Sequence, residues 1–463
     1  MPSQEPFAVA LVGGGLTSLT LAIALRKKKI PFKIYEARSS FTELGAGINV
    51  GPNSSTALRL IDEDLAETFF KIARQNPAGK EHVYLDIRLG APSGEFKDGE
   101  VVETLFAPPT GNTTVGRNLL LQMLAERAGL TEGPGKEDAV FNKKVATYSQ
   151  DSSGVILSFS DGTTAVASAI IACDGIHSTI RHILLGSEDR ASQPHFSHTG
   201  AYRALLPTAQ LEKLLGKERA YSSQAVIGPG GYVIYYPTTA TTMNIGFWTR
   251  RNDREWDEEA SWLLPGQGKQ MREDFTSWGP AAKGLMDLVL EKEGEDLPFW
   301  SAWHHAVQPD RFWQGRVALI GDAAHAMPPH AGAGAGQAME DAFVMSEVLG
   351  CISACEHAAS IDTEMQKRIE VAFGVYETIR RPRSQAVLET SEANFELWAD
   401  LYDDAPISHE RLNVWRQKVK TAFEGIWRHD LEVDAVKARE MIKTALQLRL
   451  SVDYLHVINT QTV

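Results

Sequence analysis

From Phe7 to Val12 the sequence runs FAVALV, an apolar stretch of strand length, and stops at three successive glycines, Gly13, Gly14 and Gly15. Leu16 to Lys28 carries a helical pattern, and Phe32-Lys33-Ile34-Tyr35 returns to strand character before Glu36. A strand without polar alternation is buried on both faces, the habit of parallel sheets covered by helices. Strand, glycine turn, helix and strand make one βαβ unit, which commits the chain to an α/β core. The same stretch imitates a membrane segment, since Pro6 to Leu25 holds no charge. The glycines break it, only Glu5 precedes it as a charge, and no cleavage site follows, so neither a span nor a secretory signal is expected.

Further strands of the same buried type come late: Ala169 to Cys173 and Val317 to Ile320. Arg117 to Ala128 reads as a helix, and Val155 to Phe159, Asp161-Gly162 and Thr163 to Val166 as a hairpin. Between about Ser192 and Trp300 short β-rich runs such as YVIYY (Tyr232 to Tyr236) and MNIGFW (Met243 to Trp248) alternate with turn residues, which predicts an antiparallel sheet. Beyond Glu340 the pattern is helical, while Gly133 to Asp138 and Gly266 to Lys269 read as loops. The expected fold is α/β: a Rossmann-type domain assembled from discontinuous segments, an inserted antiparallel-sheet domain and a helical C-terminus. In numbers, 1–75, 110–190 and 301–355 form the first, 76–109 and 191–300 the second, and 356–463 the third.

The glycine turn has the context of a dinucleotide fingerprint. Gly13 permits the tight turn, Gly15 lets backbone approach a pyrophosphate, and the helix N-terminus favours the anion. Ser18 stands at the third position, small enough for close helix–strand packing. Glu36, twenty-one residues after Gly15, can accept hydrogen bonds from a ribose diol. This motif alone does not separate FAD from NAD.

Two more segments do. Cys173-Asp174-Gly175-Ile176-His177-Ser178-Thr179-Ile180-Arg181 closes one apolar strand, and Gly321-Asp322-Ala323-Ala324-His325-Ala326-Met327-Pro328-Pro329 closes another. His330 to Gln337 (HAGAGAGQ) then leads into a helix with Glu340 and Asp341. These segments, in this order, resemble the DG and GD motifs of the class A flavoprotein aromatic hydroxylases, the group of salicylate hydroxylase; the likeness runs from Phe7 to about Arg383. It implies FAD as cofactor, with Asp322 at the ribityl chain and the small residues around Gly334 and Ala335 against the isoalloxazine. Arg117 looks like the family's helix-start arginine at the FAD phosphate or ribityl region, with a plain surface charge as the competing reading. Gly45-Ala46-Gly47-Ile48 looks like the small-residue loop near the flavin, with Gly47 its contact. Asp174 can serve the cofactor, cap the following helix, or both.

Within the fungal polyketide dearomatising branch of that family an arginine and a tyrosine stand on adjacent strands. Arg203 and Tyr236 resemble them, and the resemblance makes them the catalytic pair that binds a phenolate, against a salt bridge and a core tyrosine as the bland readings. Alternation puts Tyr232, Ile234 and Tyr236 on one face and Tyr235 on the other. The implied reaction uses NADPH or NADH as transient reductant and O2, passes through a flavin C4a-hydroperoxide, and hydroxylates a small phenolic substrate. Hydroxylative dearomatisation in polyketide secondary metabolism is the sharper expectation. A salicylate-type decarboxylating hydroxylase or an epoxidase is the enzyme alternative. A flavin-binding protein acting through partners at Glu356 to Val463 is the non-enzyme one.

Composition enters as exclusion. A formal charge of −13 argues against a nucleic-acid surface. Three cysteines, Cys173, Cys351 and Cys355, are too few for a disulfide framework and suit a reducing, cytoplasmic setting. No metal is expected: Cys351 and Cys355 lack a second pair, and His325 and His330 lack a third ligand. His304-His305 reads as structural or surface, and Trp398, Trp415 and Trp427 as packing. Arg380-Arg381-Pro382-Arg383 has the composition of a nuclear signal or a phosphate patch, but it resembles the Arg-Pro-Arg run that the aromatic hydroxylases carry after the GD helix, which implies a structural role. A homodimer is compatible with all of this.

Overall fold

The computed structural model describes residues 7–42, 47–151, 154–253, 256, 262–353, 363–402 and 405–447. Gly45, Ala46, Cys355 and the tail beyond 447 lie outside them.

Five parallel strands carry the nucleotide-type sheet, in the order Val317–Leu319, Ala169–Ala172, Val9–Val12, Phe32–Tyr35 and Ala139–Val140, with Trp313–Gln314 added antiparallel at one edge. Every residue of Val9–Val12, Ala169–Ala172 and Val317–Leu319 is buried, which is why these runs show no alternation. The helices Leu16–Lys27 and Gly334–Ser353 pack on each other over this sheet. Their leucines, valines and isoleucines join one large core, each such side chain contributing roughly 1.5–3 kcal/mol when fully buried.

An eight-stranded sheet forms the second layer, in the order Leu263–Leu264, Phe299–His304, His195–Pro207, Thr242–Arg250, Gly231–Pro237, Gln224–Gly228, Val83–Leu89 and Val101–Phe106. All its junctions are antiparallel except Gln224–Gly228 with Val83–Leu89. Its strands come from two stretches of chain separated by the helix Arg117–Arg127 and the Ala169–Ala172 strand. One face, with Tyr202, Val233, Tyr235, Ile245 and Phe247, is sealed by the helices Gly268–Asp274 and Pro280–Glu293. The opposite face carries Arg203, Tyr232, Ile234, Tyr236, Asn244, Gly246 and Trp248. The expected split between Tyr232, Ile234 and Tyr236 on one side and Tyr235 on the other is thus present.

Three helices end the described chain: Thr363–Ala399, His409–Trp427 and Leu431–Gln447. Phe395, Trp398, Trp415 and Phe423 from the first two form a core with Tyr84, Leu85 and Tyr232 of the large sheet. The two segments read as loops are partly regular: Pro134–Asp138 is a 3-10 turn, and Gly268 begins a helix. Proline at the first turn and a positive φ at Gly133 make the former cheap to form.

Candidate active site

Two clefts meet at the glycine turn. One, of about 310 Å³, is lined by Gly13, Gly14, Gly15, Glu36, Arg38, Lys143, Asp174 and Thr179. The other, of about 340 Å³, lies between the two sheets and the C-terminal helices, and both share Gly15, Cys173 and Gly175.

The turn needs its glycines for separate reasons. Gly13 has φ +96°, and a Cβ there would stand 2.6 Å from the Cys173 carbonyl oxygen. At Gly15 a Cβ would meet nothing within 4 Å, because the residue faces the open passage between the clefts. Glu36 accepts hydrogen bonds from the backbone N–H of Gly14 at 2.5 Å and of Arg38 at 2.7 Å, which fixes its carboxylate at the cleft wall. Asp174 accepts from Ser178 Oγ at 2.6 Å and from Ile180 N–H at 3.2 Å while lining the same cleft. The N-cap of the following helix is Ser178, which accepts from Arg181 N–H, and Asp174 supports that cap through Ser178 Oγ and Ile180 N–H. Ser18 is fully buried and lines neither cleft, so its place is in helix–strand packing.

A second set of residues holds the two motif segments together. Arg181, fully buried, donates to Ala191 O at 2.7 Å, Ala323 O at 3.0 Å and Ala324 O at 2.7 Å, tying the DG-like segment to the GD-like one. Asp341 accepts from Gly321 N–H and, at 2.6 Å, pairs with His325 Nε2. Arg380 donates to Asp341 Oδ1 and Glu340 Oε2, each at 2.7 Å, and Arg383 reaches Glu340. Burial opposes ionisation of Asp341, but His325 and Arg380 prevail and bring its pKa to about 2. The basic run Arg380 to Arg383 is therefore mainly structural, as its resemblance to the family's Arg-Pro-Arg run implied.

The larger cavity gathers Gly47, Arg117, Asp322, Gly334, Ala335, Arg203 and Tyr236. Asp322 is exposed at the first turn of a short helix. Tyr236 donates its hydroxyl to Gly47 O at 3.2 Å. Burial raises the Tyr236 pKa, and Arg203 opposes that rise. The Arg203 guanidinium lies 5.6 Å from the centre of the Trp300 ring, and no carboxylate pairs with it among the described residues. That cation is left facing the cavity.

Several lining residues were not singled out from sequence. Burial pushes the Tyr84 pKa up to about 12. His330, which opens the small-residue segment, is held between Tyr232 OH (2.8 Å to Nδ1) and Thr199 Oγ1 (3.0 Å to Nε2). Burial, reinforced by His304, lowers its pKa to about 3, so the ring is neutral. Trp398 and Phe423 line the cavity as well as packing, which corrects a packing-only view of Trp398. His304 and His305 are both buried rather than on the surface. The alternation used for Tyr232 to Tyr236 also finds Asn244, Gly246 and Trp248; no local signal marks Tyr84, Trp398 or Phe423. Among the described residues no three His, Cys, Asp or Glu side chains cluster as metal ligands, and no helix is long and apolar enough to cross a membrane.

The family model described as "FAD binding domain" matches residues 7–379. The 6-methylsalicylate 1-monooxygenase atA of Aspergillus terreus is 34% identical, covering 93% of this chain and 91% of the relative. Salicylate hydroxylase of Pseudomonas putida is 30% identical over 93% and 94% of the two chains. A solved salicylate hydroxylase substrate complex superposes with a TM-score of 0.76 at 28% identity, covering 94% of this chain and 98% of the other. A Klebsiella pneumoniae HpxO structure complexed with FAD and uric acid, at 20% identity and a TM-score of 0.68 over 94% and 96%, shares the fold.

Proposed function

Because the chain belongs to the FAD-binding-domain family, among the FAD-dependent aromatic monooxygenases, we propose that it hydroxylates a phenol held as its phenolate by Arg203 and Tyr236. The observation that carries this is the Arg203 cation, turned into the cavity without a carboxylate partner among the described residues. A buried cation of that kind favours an anionic ligand.

The residues present fit FAD. Gly13, Glu36 and Asp174 would hold the adenosine and pyrophosphate end, Gly15 leaves the passage clear, and Arg117, Asp322, Gly334, Ala335 and Gly47 would surround the ribityl and ring end. Bound there, FAD supplies the redox chemistry: reduction by NADPH or NADH and activation of dioxygen for transfer of one oxygen atom.

The protein's part is binding, ionisation and exclusion of water. Arg203 stabilises the phenolate, which raises electron density on the ring. Tyr236 remains protonated because its pKa lies above the ordinary value, so its hydroxyl can leave Gly47 O and donate to the phenolate. Neutral His330, already bonded to Tyr232 and Thr199, adds a polar wall without a charge. Tyr84, Trp248, Trp398 and Phe423 line the rest, which limits water at the reacting ring.

We assign 1–75, 110–190 and 301–355 to the FAD domain, 76–109 and 191–300 to the substrate domain, and 356–463 to the helical region. A methyl group on the attacked carbon would block rearomatisation and give a dearomatised ketone, the outcome expected in polyketide metabolism. A carboxylate there would leave as carbon dioxide; the similarity to salicylate hydroxylase supports this second reading. A reducing, cytoplasmic setting is supported by the cysteine count, three in the whole chain and too few for a disulfide framework. Oxygen uptake with NADPH across a panel of phenols tests the function. Stimulation by methylated dihydroxybenzaldehydes supports the dearomatising outcome, stimulation by salicylate the decarboxylating one, and stimulation by no phenol contradicts both.

A further inference from the structure

A glycine inside a central strand weakens the strand, so it marks a bulge, a close approach of backbone or packing, or the approach of a ligand. The glycines of the eight-stranded sheet can be sorted this way. A Cβ at Gly200 would strike the Phe299 ring, one at Gly231 the backbone of Trp248, and one at Gly228 the Trp278 ring at 2.7 Å. Packing accounts for all three.

Gly246 is different. Pairing runs without a shift through Arg203↔Gly246 on one side and Gly246↔Ile234 on the other, so no bulge is present. The three nearest neighbours of a Cβ there are all side-chain atoms: Trp248 Nε1 at 3.1 Å, Trp248 Cδ1 at 3.7 Å and Ile234 Cγ2 at 3.8 Å. Gly246 lines the cavity, as do Arg203, Asn244 and Trp248. Asn244 stands opposite Tyr236 in the next row of the sheet, and its Oδ1 is buried without a hydrogen-bond partner. The missing side chain therefore leaves a hollow beside Arg203, edged by an indole N–H and a side-chain amide. The indole N–H, a donor, suits a hydrogen-bond acceptor better than a methyl group, while the Asn244 Oδ1 is itself an acceptor.

We propose that Gly246 is a specificity-determining residue whose vacant position receives an oxygen substituent of the substrate ring, carbonyl or carboxylate, on the carbon next to the phenolate. This rests on the placing of the phenolate at Arg203 and Tyr236, since Gly246 is the direct neighbour of Arg203 on the sheet floor.

The test titrates phenol, 2-hydroxybenzaldehyde, 4-hydroxybenzaldehyde and salicylate into the FAD-loaded enzyme and reads the flavin absorbance change. The wild type should bind 2-hydroxybenzaldehyde about tenfold tighter than its 4-hydroxy isomer, the upper end for one neutral hydrogen bond. Gly246→Ala should reduce that ratio to about threefold or less, and Trp248→Phe, which keeps a ring but removes the N–H, should lower it in the same direction. Salicylate binding that weakens together with the aldehyde shows that the hollow takes both a neutral carbonyl and a carboxylate. A preference for salicylate alone, untouched in Gly246→Ala, would be the Arg203 charge acting by itself and would overturn the proposal. So would an ortho preference that survives both variants. Failure of the underlying reading looks different: the wild type would then bind no phenol, or Arg203→Ala would bind phenols as tightly as the wild type.

Discussion

At Arg203 the structure sets a cation on an indole face instead of beside a carboxylate, and this keeps its charge available to a ligand. Arg203→Ala should keep FAD while weakening phenol binding about 10- to 100-fold, corresponding to about 1.5–3 kcal/mol for a hydrogen bond to a charged group. Arg203→Lys should recover part of the loss, because the charge returns without the fork of donors. The pH profile gives a second check. A neighbouring cation lowers the pKa of the bound phenol, so removing it should move the acidic limb of kcat to higher pH. A variant whose limb stays in place would mean that another group ionises the substrate. The tyrosines around it, Tyr84, Tyr232 and Tyr236, all have pKa values raised by burial, so they serve as donors and not as bases near neutrality.

Among the elements, the strand–turn–helix at Gly13 and the helix Gly334–Ser353 carry the cofactor end. Gly13→Ala puts a side chain at φ +96° and 2.6 Å from the Cys173 carbonyl oxygen. The expected outcome is a loss of about 1–3 kcal/mol in stability and a protein purified largely without yellow colour. The helix Gly334–Ser353 is fastened through Glu340 and Asp341 to Arg380 of the next helix. Arg380→Met leaves two buried carboxylates short of their cation, and thermal denaturation should show a cost of about 3–5 kcal/mol. The acid limb of stability follows with a definite sign. Asp341 titrates near pH 2 when folded, below its unfolded value of about 3.9. Its contribution is therefore complete above about pH 4 and is lost as the pH falls from there towards 2. These elements were readable in the sequence because their signals are local: Gly13 to Gly15 lie between a strand and a helix, and Asp174 and Asp322 each follow a buried strand. Gly246 and Trp248 were within reach of the same alternation that singled out Tyr236.

For the whole molecule, the cavity closes only when three distant stretches meet: Tyr84 from an early strand, Tyr232 to Tyr236 from the middle of the sheet, and Trp398 and Phe423 from the terminal helices. Such meetings are not written in local periodicity, which is why Tyr84 and Phe423 were invisible in the sequence and Trp398 looked like plain packing. The terminal helices thus act as a wall of the site. Trp398→Phe should loosen that wall, since the Trp398 ring sits edge-on to Tyr232 with centroids 4.8 Å apart. Its expected signature is a rise in hydrogen peroxide released per NADPH consumed, with product falling in step; unchanged coupling would place the water barrier elsewhere. The central claim, oxygen transfer to a phenol held in this cavity, is tested most directly with labelled dioxygen. Turnover of an accepted phenol with NADPH under 18O2 should give a product carrying one 18O atom per NADPH consumed in coupled cycles. A product labelled only from H218O, or NADPH oxidation that no phenol stimulates, would contradict it.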